Sequence, residues 1–295
     1  MIERALIGIG RQFGKPRGWE RVVRSFFPPE ECGGLRVRNV TTECGLVFPA
    51  DPATYLGWQV FFFGTYEPEI RSLVSRILGP GGVAIDVGAN VGWHTLLMAA
   101  LVGETGRVLA FEPNPSVRRQ LVDNIRANHL NRVSVHDCAL SDKPGKMGFK
   151  APDARDMESG NGHLVARSAA VDNCGDLLAV SSDTVDHVVN GAGLATLDFI
   201  KIDIEGWEWP ALLGSKETLR RYRPIVIFEY IAEYLVRGGG TDRQISEFLS
   251  SLGYSVHLIS RRVKALGKSW PGACNVLAIP SEKESSELGR ALLHH

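Results

Sequence analysis

A chain of 295 residues is long enough to bury one large hydrophobic core. Its 33 Lys and Arg residues balance 33 Asp and Glu residues, and this neutrality argues against a nucleic-acid-binding protein, because such proteins need an excess of Lys and Arg. The five cysteines are widely spaced and include no Cys-x-x-Cys pair, which indicates neither a disulfide framework nor a zinc site, so a cytoplasmic location is expected.

Strand and helix patterns alternate along most of the chain. Residues 1–65 carry only two strand-like pieces and are interpreted as an N-terminal extension or cap; the alternation covers residues 66–282, and residues 283–295 form a C-terminal tail. Helices are predicted to begin at Pro68 and at Pro115. The predicted strands cover residues 83–87, 108–111, 133–135, 197–204, 224–229, 254–259 and 275–279. This pattern predicts an α/β fold in which a mostly parallel sheet has helices on both faces.

The alternation is interrupted at residues 141–180, which are rich in Gly, Asp, Ser and Asn. A loop this long inside a compact domain is usually functional or disordered. We interpret it as an inserted β-hairpin or flap that covers a substrate pocket, with a turn at residues 159–162. An ordinary surface excursion is the alternative.

The strand at residues 83–87 ends in the turn Gly88-Ala89-Asn90-Val91-Gly92, with Asp86 just before it. Glycine at positions 88 and 92 allows backbone N–H groups to approach a ligand closely, because no Cβ intervenes. The next strand ends in Glu112, and an acidic residue about 20 residues beyond such a turn usually binds the two ribose hydroxyls. These features predict a site for a nucleoside-containing cofactor. A glycine turn that only packs a helix on the sheet is the alternative.

The turn favours S-adenosylmethionine over a dinucleotide as the cofactor. A dinucleotide motif has a third glycine, and Thr95 stands in that region instead. Asp86 would repel a pyrophosphate, whereas it could accept a hydrogen bond from the ammonium group of S-adenosylmethionine. No Lys-Ser/Thr pair follows the turn, so a phosphate-binding P-loop is excluded.

A second charged signature, Lys201-Ile202-Asp203-Ile204-Glu205-Gly206, ends the predicted fourth strand. Alternation puts Lys201, Asp203 and Glu205 on one side of a regular strand. Buried charges are costly unless they are paired or functional, and a structural ion pair between Lys201 and Glu205 is the alternative. Glu229 ends the next strand at a similar level, so Asp203 and Glu229 are both expected to flank the cofactor crevice.

Six short motifs follow one another at residues 85–92, 111–113, 139–145, 184–186, 198–208 and 224–229. In this order and spacing they resemble the FkbM family of S-adenosylmethionine-dependent methyltransferases. The resemblance covers roughly residues 60–280. It implies a Rossmann-like class I methyltransferase fold, with a seven-stranded sheet whose last strand is antiparallel. It also implies methyl transfer, commonly to a hydroxyl group of a sugar or natural product.

An alcohol acceptor must lose a proton during methyl transfer, and a carboxylate within hydrogen-bond reach can accept it. The predicted catalytic residues are Asp203 first, then Glu229, with Lys201 beside them; His163 and His257 are weaker candidates. No metal is assigned, although the carboxylates of this cleft could supply oxygen ligands. The predicted cofactor-binding residues are Glu67, Asp86, Gly88, Ala89, Asn90, Gly92, Thr95, Glu112, Pro113, Asn114, Asp137, Cys138, Ala139 and Asp203.

Three functions remain possible from the sequence. O-methylation of a small molecule or glycan is expected; N-methylation of a base or protein and cofactor binding without catalysis are the alternatives. Amino-group DNA methyltransferases usually carry Asn/Asp-Pro-Pro-Tyr/Phe after the fourth strand, where this chain has Asp203-Ile204-Glu205-Gly206, so a nucleic-acid partner is not expected. No apolar run approaches the roughly 18 residues of a transmembrane helix, and no membrane-spanning segment is predicted. The oligomeric state is not predicted.

Overall fold

The computed structural model describes residues 6–8, 10, 18–150, 162–165, 177–260, 262–267 and 269–294. The strands are β1 (Arg38–Thr41), β2 (Val47–Ala50), β3 (Val83–Val87), β4 (Arg107–Phe111), β5 (Val133–His136), β6 (Cys138–Leu140), β7 (Gly145–Lys150), β8 (His163–Val165), β9 (Leu177–Asp183), β10 (Phe199–Ile202), β11 (Ile225–Ile231), β12 (Tyr254–Ile259), β13 (Lys264–Ala265) and β14 (Ala273–Pro280). The α-helices are α1 (Trp19–Phe26), α2 (Tyr55–Phe63), α3 (Pro68–Ile77), α4 (Trp93–Val102), α5 (Pro115–Ala127), α6 (Val185–Gly191), α7 (Glu208–Leu213), α8 (Lys216–Tyr222), α9 (Ala232–Leu235), α10 (Asp242–Ser251), α11 (Ser281–Glu284) and α12 (Glu287–Leu293).

The central sheet has the strand order β13-β12-β14-β11-β10-β3-β4-β5. The pairs β11/β10, β10/β3, β3/β4 and β4/β5 are parallel, whereas β14 is antiparallel to both β11 and β12. This confirms the predicted α/β fold with a mostly parallel sheet and an antiparallel last strand. The sheet exceeds the predicted seven strands by β13, a two-residue edge strand paired with β12. Two residues are too few to produce an alternating pattern in the sequence.

Both faces of the central sheet are buried, as is usual for mostly parallel sheets. Ile85 of β3 belongs to one hydrophobic cluster, whereas its neighbour Ala84 belongs to a second. Because successive residues point to opposite faces and both faces are covered, β3 is an apolar run interrupted only by Asp86. That carboxylate is 1% exposed, and Lys201 of β10 is 3% exposed.

The parallel strands bring their carboxyl ends to one edge of the sheet. The register places Asp86 of β3 beside Lys201 of β10 and Val87 beside Phe111 of β4. Asp203 follows β10 directly, and Glu229 lies near the end of β11. The two charged signatures that are separated by more than 100 residues in sequence are therefore adjacent in the sheet.

The first 65 residues contain more structure than the sequence predicts. β1 and β2 form an antiparallel hairpin where the two strand-like pieces are expected. The helix α2, however, is missed by the sequence analysis, because residues 57–63 are buried on every side and no amphipathic stripe marks the helix. Trp58 and other residues of α2 pack in one cluster with Trp93 of α4 and Leu121 of α5, which attaches the N-terminal segment to the helices beside the cofactor turn.

A second sheet, with the order β6-β9-β7-β8, contains much of the inserted segment. Of residues 141–180, the structure describes 141–150, 162–165 and 177–180; the predicted turn falls mostly on residues outside these ranges. β7 pairs antiparallel with both β8 and β9. Trp207 packs in one cluster with Phe149 and Leu164 of this sheet. The described part of the inserted segment is thus packed against the residues that follow Asp203.

Two further expectations concern membranes and cysteines. Within the described residues, no helix combines the length and the apolar character needed to cross a bilayer. Cys32, Cys44, Cys138 and Cys274 are free thiols, whereas Cys174 lies outside the residues that the structure describes.

Candidate active site

A cleft of about 360 Å³ opens at the carboxyl ends of β3, β4, β10 and β11. The turns after β3 and β10 form its floor. The N-terminal segment contributes Tyr55 and Leu56 to its lining, and the inserted segment contributes Phe149 and Leu164. The cleft therefore lies between the central sheet and the two parts of the chain that do not follow the strand–helix alternation.

The glycine turn after β3 brings three chain segments unusually close together. Gly88 has a φ of 81°, and its N–H and that of Ala89 both donate to the carbonyl of Phe111 at the end of β4. A Cβ on Gly88 would lie 1.9 Å from the backbone oxygen of Asp203. Only glycine fits here, because the position requires a positive φ and leaves no space for a side chain. The turn thus presents its backbone to the cleft.

Glu112 is held at the cleft by two backbone N–H groups, one from the glycine turn and one from the start of the following helix. One carboxylate oxygen accepts the N–H of Asn90 at 3.0 Å, and the other accepts the N–H of Asn114 at 2.8 Å. Burial raises the pKa of Glu112 to about 7, although these two hydrogen bonds oppose the increase. The carboxylate is fixed in orientation and lines the cleft, and its remaining lone pairs can accept from hydroxyl donors such as those of a ribose.

Asp86 is the clearest sign of a ligand site in the cleft. Its Oδ2 accepts a hydrogen bond from Thr95 Oγ1 at 2.6 Å. Its Oδ1 is buried and has no hydrogen-bond partner among the described residues. A buried acceptor of this kind needs a donor or a cation; the Lys201 ammonium supplies a neighbouring positive charge, and the ammonium group of S-adenosylmethionine has the chemistry to donate a hydrogen bond. The residues present at this site therefore fit the predicted cofactor.

Lys201 links the cofactor side of the cleft to Asp203. Its Nζ donates to Asp203 Oδ2 at 2.8 Å. Burial alone would lower the pKa of the Lys201 ammonium, but the carboxylates of Asp203, Asp86 and Glu67 raise it above its usual value. Lys201 is therefore a permanent cation that pairs with Asp203, and the alternative of a structural pair between Lys201 and Glu205 is wrong. β10 ends at Ile202, two residues earlier than predicted.

Three carboxylates converge after β10 and β11. One oxygen each of Asp203, Glu205 and Glu229 lies within 4.8 Å of the others. Burial and the nearby charges of Asp203, Glu205 and Glu208 raise the pKa of Glu229 to about 10. Glu229 therefore carries a proton at neutral pH and can donate a hydrogen bond, while Asp203 forms an ion pair with Lys201. Such a set could also hold a divalent cation, and the prediction of no metal stays a prediction.

His94 and Tyr66 are cleft residues that the sequence analysis missed. His94 Nε2 lies 2.8 Å from Glu67 Oε2, and the second oxygen of Glu67 lies 3.4 Å from Asn275 Nδ2. Burial would raise the pKa of Glu67, but its hydrogen bond with His94 lowers it overall. Burial and the charges of Glu67, Asp203 and Glu229 raise the pKa of Tyr66 well above its usual value, so its hydroxyl keeps its proton. His94 interrupts the otherwise apolar start of α4, and this is the sequence signal from which the pair of His94 and Glu67 could have been predicted.

Most of the predicted site residues meet at the cleft. Its lining includes Asp86, Gly88, Ala89, Asn90, Glu112, Pro113, Asn114, Cys138, Ala139, Lys201, Asp203 and Glu229. Among the described residues, four predicted cofactor contacts do not line it: Glu67, Gly92, Thr95 and Asp137. Thr95 and Glu67 act one contact further away, through Asp86 and His94. Gly92 packs against Leu121, and Asp137 is exposed. The weaker candidates His163 and His257 are also outside the lining.

Comparison with known families identifies the chain. Residues 86–256, more than half of the sequence, match the model of the methyltransferase FkbM domain. The chain belongs to the FkbM methyltransferase family. Its members are S-adenosylmethionine-dependent methyltransferases, so the predicted cofactor and the class I methyltransferase fold are confirmed.

Several curated proteins are similar to this FkbM-family chain. The 2-O-methyltransferase NoeI of Sinorhizobium fredii is 27% identical over 191 residues, which are 61% of this chain and 76% of NoeI. The 31-O-demethyl-FK506 methyltransferase FkbM of Streptomyces tacrolimicus is 30% identical over 164 residues, 48% of this chain and 62% of that protein. The AMB antimetabolite synthetase AmbE of Pseudomonas aeruginosa is 28% identical over 223 residues, 65% of this chain but only 10% of AmbE.

Cofactor affinity should rise with pH through the range around the pKa of Glu112, which is about 7. Ribose hydroxyls donate hydrogen bonds that favour the carboxylate, so binding should lower this pKa and release about half a proton near neutral pH. Below that range the carboxyl is protonated, and affinity should fall by about tenfold per pH unit. Calorimetry in buffers of different ionisation enthalpy measures the released protons.

The control is Glu112→Gln, which keeps the size of the side chain but cannot ionise. It should bind S-adenosylmethionine more weakly, because each charge-assisted hydrogen bond contributes about 1.5–3 kcal/mol. It should also lose the proton release. Equal proton release by Glu112→Gln and the wild type would show that Glu112 does not contact the ribose.

Proposed function

We propose that the protein transfers the methyl group of S-adenosylmethionine to a hydroxyl group of a small molecule or glycan. The observation that supports this proposal most directly is the pairing of Asp203 with Lys201 at 2.8 Å in the cleft, beside Glu229, whose pKa is raised to about 10 by burial and nearby carboxylates. A neutral hydroxyl must lose a proton as it attacks, and we infer that the Asp203 carboxylate accepts it. The names of NoeI and FkbM, one a 2-O-methyltransferase and the other acting on an O-demethyl substrate, support the same chemistry.

The cleft divides into a cofactor side and an acceptor side. Bound S-adenosylmethionine supplies an electrophilic methyl group on a positively charged sulfur. On the cofactor side, Asp86 offers an acceptor for the ammonium group and Glu112 orients the ribose. On the acceptor side, Asp203 accepts the proton of the hydroxyl, and Glu229 donates a hydrogen bond that orients the acceptor. Because the protein holds these groups in place, alignment supplies a large part of the rate.

We assign acceptor specificity to the two parts of the chain outside the strand–helix alternation. Thr54 and Tyr55 of the N-terminal segment line the cleft on one side, and Phe149 and Leu164 of the inserted segment line it on another. These side chains would enclose an acceptor above the carboxylates and keep water away from the reacting hydroxyl. Residues 1–65 then serve as a cap and residues 141–180 as a covering segment, on a methyltransferase domain at residues 66–282.

The proposal is tested with S-adenosylmethionine that carries a ¹³C-labelled methyl group and a panel of hydroxylated glycosides and polyketide-like alcohols, beside matched amines. The expected product has the labelled carbon bonded to oxygen, which NMR distinguishes from carbon bonded to nitrogen. Methylation only of the amines would replace the proposal by N-methylation. Tight cofactor binding without transfer to any acceptor would favour a non-catalytic binding protein, and absence of cofactor binding would contradict the assigned site.

A further inference from the structure

We propose that Glu208 is a positioning residue that, together with Arg237, fixes the turn carrying Asp203 and Glu205 in the position that methyl transfer requires. This inference rests on the proposed function, because it concerns the placement of the group that accepts the proton. Neither Glu208 nor Arg237 lines the cleft among the described residues, so both would act through the turn.

The turn after β10 has an irregular backbone that needs outside support. Glu205 has a φ of 55° and Gly206 a φ of 100°. A Cβ on Gly206 would lie 2.2 Å from the backbone oxygen of Tyr234, so the turn also presses against the segment that follows β11. Non-glycine residues with a positive φ persist where the surrounding structure holds them. The support for this turn comes from two side chains, those of Glu208 and Arg237.

Glu208 supports the turn from the interior. Its Oε1 accepts the N–H of Ile204 at 2.9 Å and the N–H of Gly206 at 3.3 Å. The residue is 1% exposed, at the start of α7. Without this oxygen, the buried N–H of Gly206 and the half-buried N–H of Ile204 would lose their acceptor, and a folded protein avoids leaving buried donors unpaired. A single side-chain oxygen therefore sets the path of the backbone between Asp203 and Gly206.

Arg237 supports the same turn by donating to a carbonyl, whereas Glu208 accepts from N–H groups. Its Nη1 donates to the backbone oxygen of Glu205 at 2.9 Å, and its guanidinium lies 4.0 Å from the centre of the Tyr234 ring. The N–H groups of the turn are thus satisfied by Glu208 and one of its carbonyls by Arg237. With both sides held, the Glu205 backbone cannot rotate without breaking at least one of these hydrogen bonds.

The position of the turn matters at both ends of the cleft. The backbone oxygen of Asp203 lies 1.9 Å from where a Cβ on Gly88 would be, so the turn rests directly on the cofactor-binding glycine. The carboxylates of Asp203 and Glu205 project from the same turn into the three-carboxylate cluster. A displacement of about 1 Å of a catalytic group can reduce a rate by about 10²-fold. Glu208 is therefore expected to influence the rate more than its distance from the reacting atoms suggests.

Three variants separate hydrogen bonding from packing and from charge. Glu208→Gln keeps an oxygen that can accept both N–H groups, whereas Glu208→Met keeps a similar length without an acceptor. Arg237→Met removes the outer hydrogen bond, and Arg220→Met removes an ion pair with Glu217 on α8, away from the turn, as a control. Amide hydrogen exchange at residues 204 and 206 in the ligand-free protein measures how often the hydrogen bonds of the turn open. Single-turnover methyl transfer, to an acceptor that the wild type methylates, measures the rate.

The expected result is that Glu208→Met and Arg237→Met expose the turn to faster exchange and lower the rate by about 10²-fold and about tenfold, respectively. The KM of these variants for S-adenosylmethionine should change less than the rate. Glu208→Gln should stay close to the wild type both in exchange at residues 204 and 206 and in the rate of methyl transfer. A wild-type rate in a folded Glu208→Met or Arg237→Met protein would overturn the positioning role. So would a Glu208→Gln protein as slow as Glu208→Met.

The same experiment distinguishes this inference from the proposed function. If Glu208→Met fails to fold, Arg237→Met and its exchange at residues 204 and 206 still decide the question, because Arg237 is only half-buried. If the wild type transfers methyl groups but the variants do so equally well, only the positioning role fails. If the wild type binds no S-adenosylmethionine and transfers nothing, the proposed function fails and the positioning role fails with it.

Discussion

Asp203→Asn should lower the single-turnover rate of methyl transfer by about 10²–10⁴-fold. Asparagine keeps the size of the side chain and one accepting oxygen, so Lys201 Nζ retains a hydrogen-bond partner at the position where it now lies 2.8 Å from Asp203. The variant loses the negative charge and the basicity that would accept the proton of the hydroxyl. Affinity for S-adenosylmethionine, measured by calorimetry on the same protein, should change little.

Glu229→Gln is the matched control for this experiment. The pKa of Glu229 is raised to about 10, first by burial and then by the surrounding carboxylates, so its neutral form resembles glutamine in charge and shape at neutral pH. We expect a loss of less than about tenfold for this variant, because a hydrogen-bond donor is retained. A larger loss for Glu229→Gln than for Asp203→Asn would exchange the roles of the two residues.

A chelator tests the remaining possibility for the three-carboxylate cluster. If the rate of the wild type is unchanged by chelator and falls in Asp203→Asn, Asp203 acts as a base. If chelator alone abolishes transfer, the oxygens of Asp203, Glu205 and Glu229, which lie within 4.8 Å of one another, are better described as metal ligands. If Asp203→Asn matches the wild type in both rate and affinity, Asp203 has no part in catalysis.

The parts of the site that could be predicted from sequence are those with a local signal. The turn at residues 88–92 is marked by two glycines with positive φ, and the strand before it is a buried apolar run. Asn114 and Pro115 mark the start of α5, and the side chain of Asn114 does cap it by accepting the N–H of Ser116. Because parallel strands align their carboxyl ends, placing the charged residues of β3 and β10 together required only the strand assignments.

The parts that could not be predicted depend on contacts between distant residues. Glu67 and His94 are 27 residues apart and meet only because α3 and α4 pack on one another. The helix α2 has no polar face from which its period could be read. The protonation of Glu229 depends on burial together with four carboxylates from other positions, and the sequence shows the charges without their distances. Lys201 pairs with Asp203 and not with Glu205 because β10 ends at Ile202, so the alternation does not continue through the turn.

Gly88→Ala should abolish measurable cofactor binding and destabilise the fold. The new Cβ would lie 1.9 Å from the backbone oxygen of Asp203 and 2.9 Å from Ile204 Cγ2, so the turn after β3 or the turn after β10 must move. Overpacking of this kind costs about 1–3 kcal/mol, and the positive φ of 81° adds about 1–2 kcal/mol for a residue with a Cβ. Thermal unfolding and calorimetric titration with S-adenosylhomocysteine measure the two effects.

Gly45→Ala isolates the part of this loss that comes from the close approach. Gly45 has a φ of 77°, similar to that of Gly88, but a Cβ added to it would meet nothing within 4 Å. The free energy of unfolding of this variant should therefore fall only by the cost of the positive φ, about 1–2 kcal/mol. Its cofactor affinity should not change. Suppose that both variants are destabilised by the same free energy and that Gly88→Ala still binds S-adenosylhomocysteine. The turn that carries Asp203 would then move to accommodate the new Cβ without any effect on cofactor binding. The contact between the two turns would then not be what joins the cofactor side of the cleft to its acceptor side.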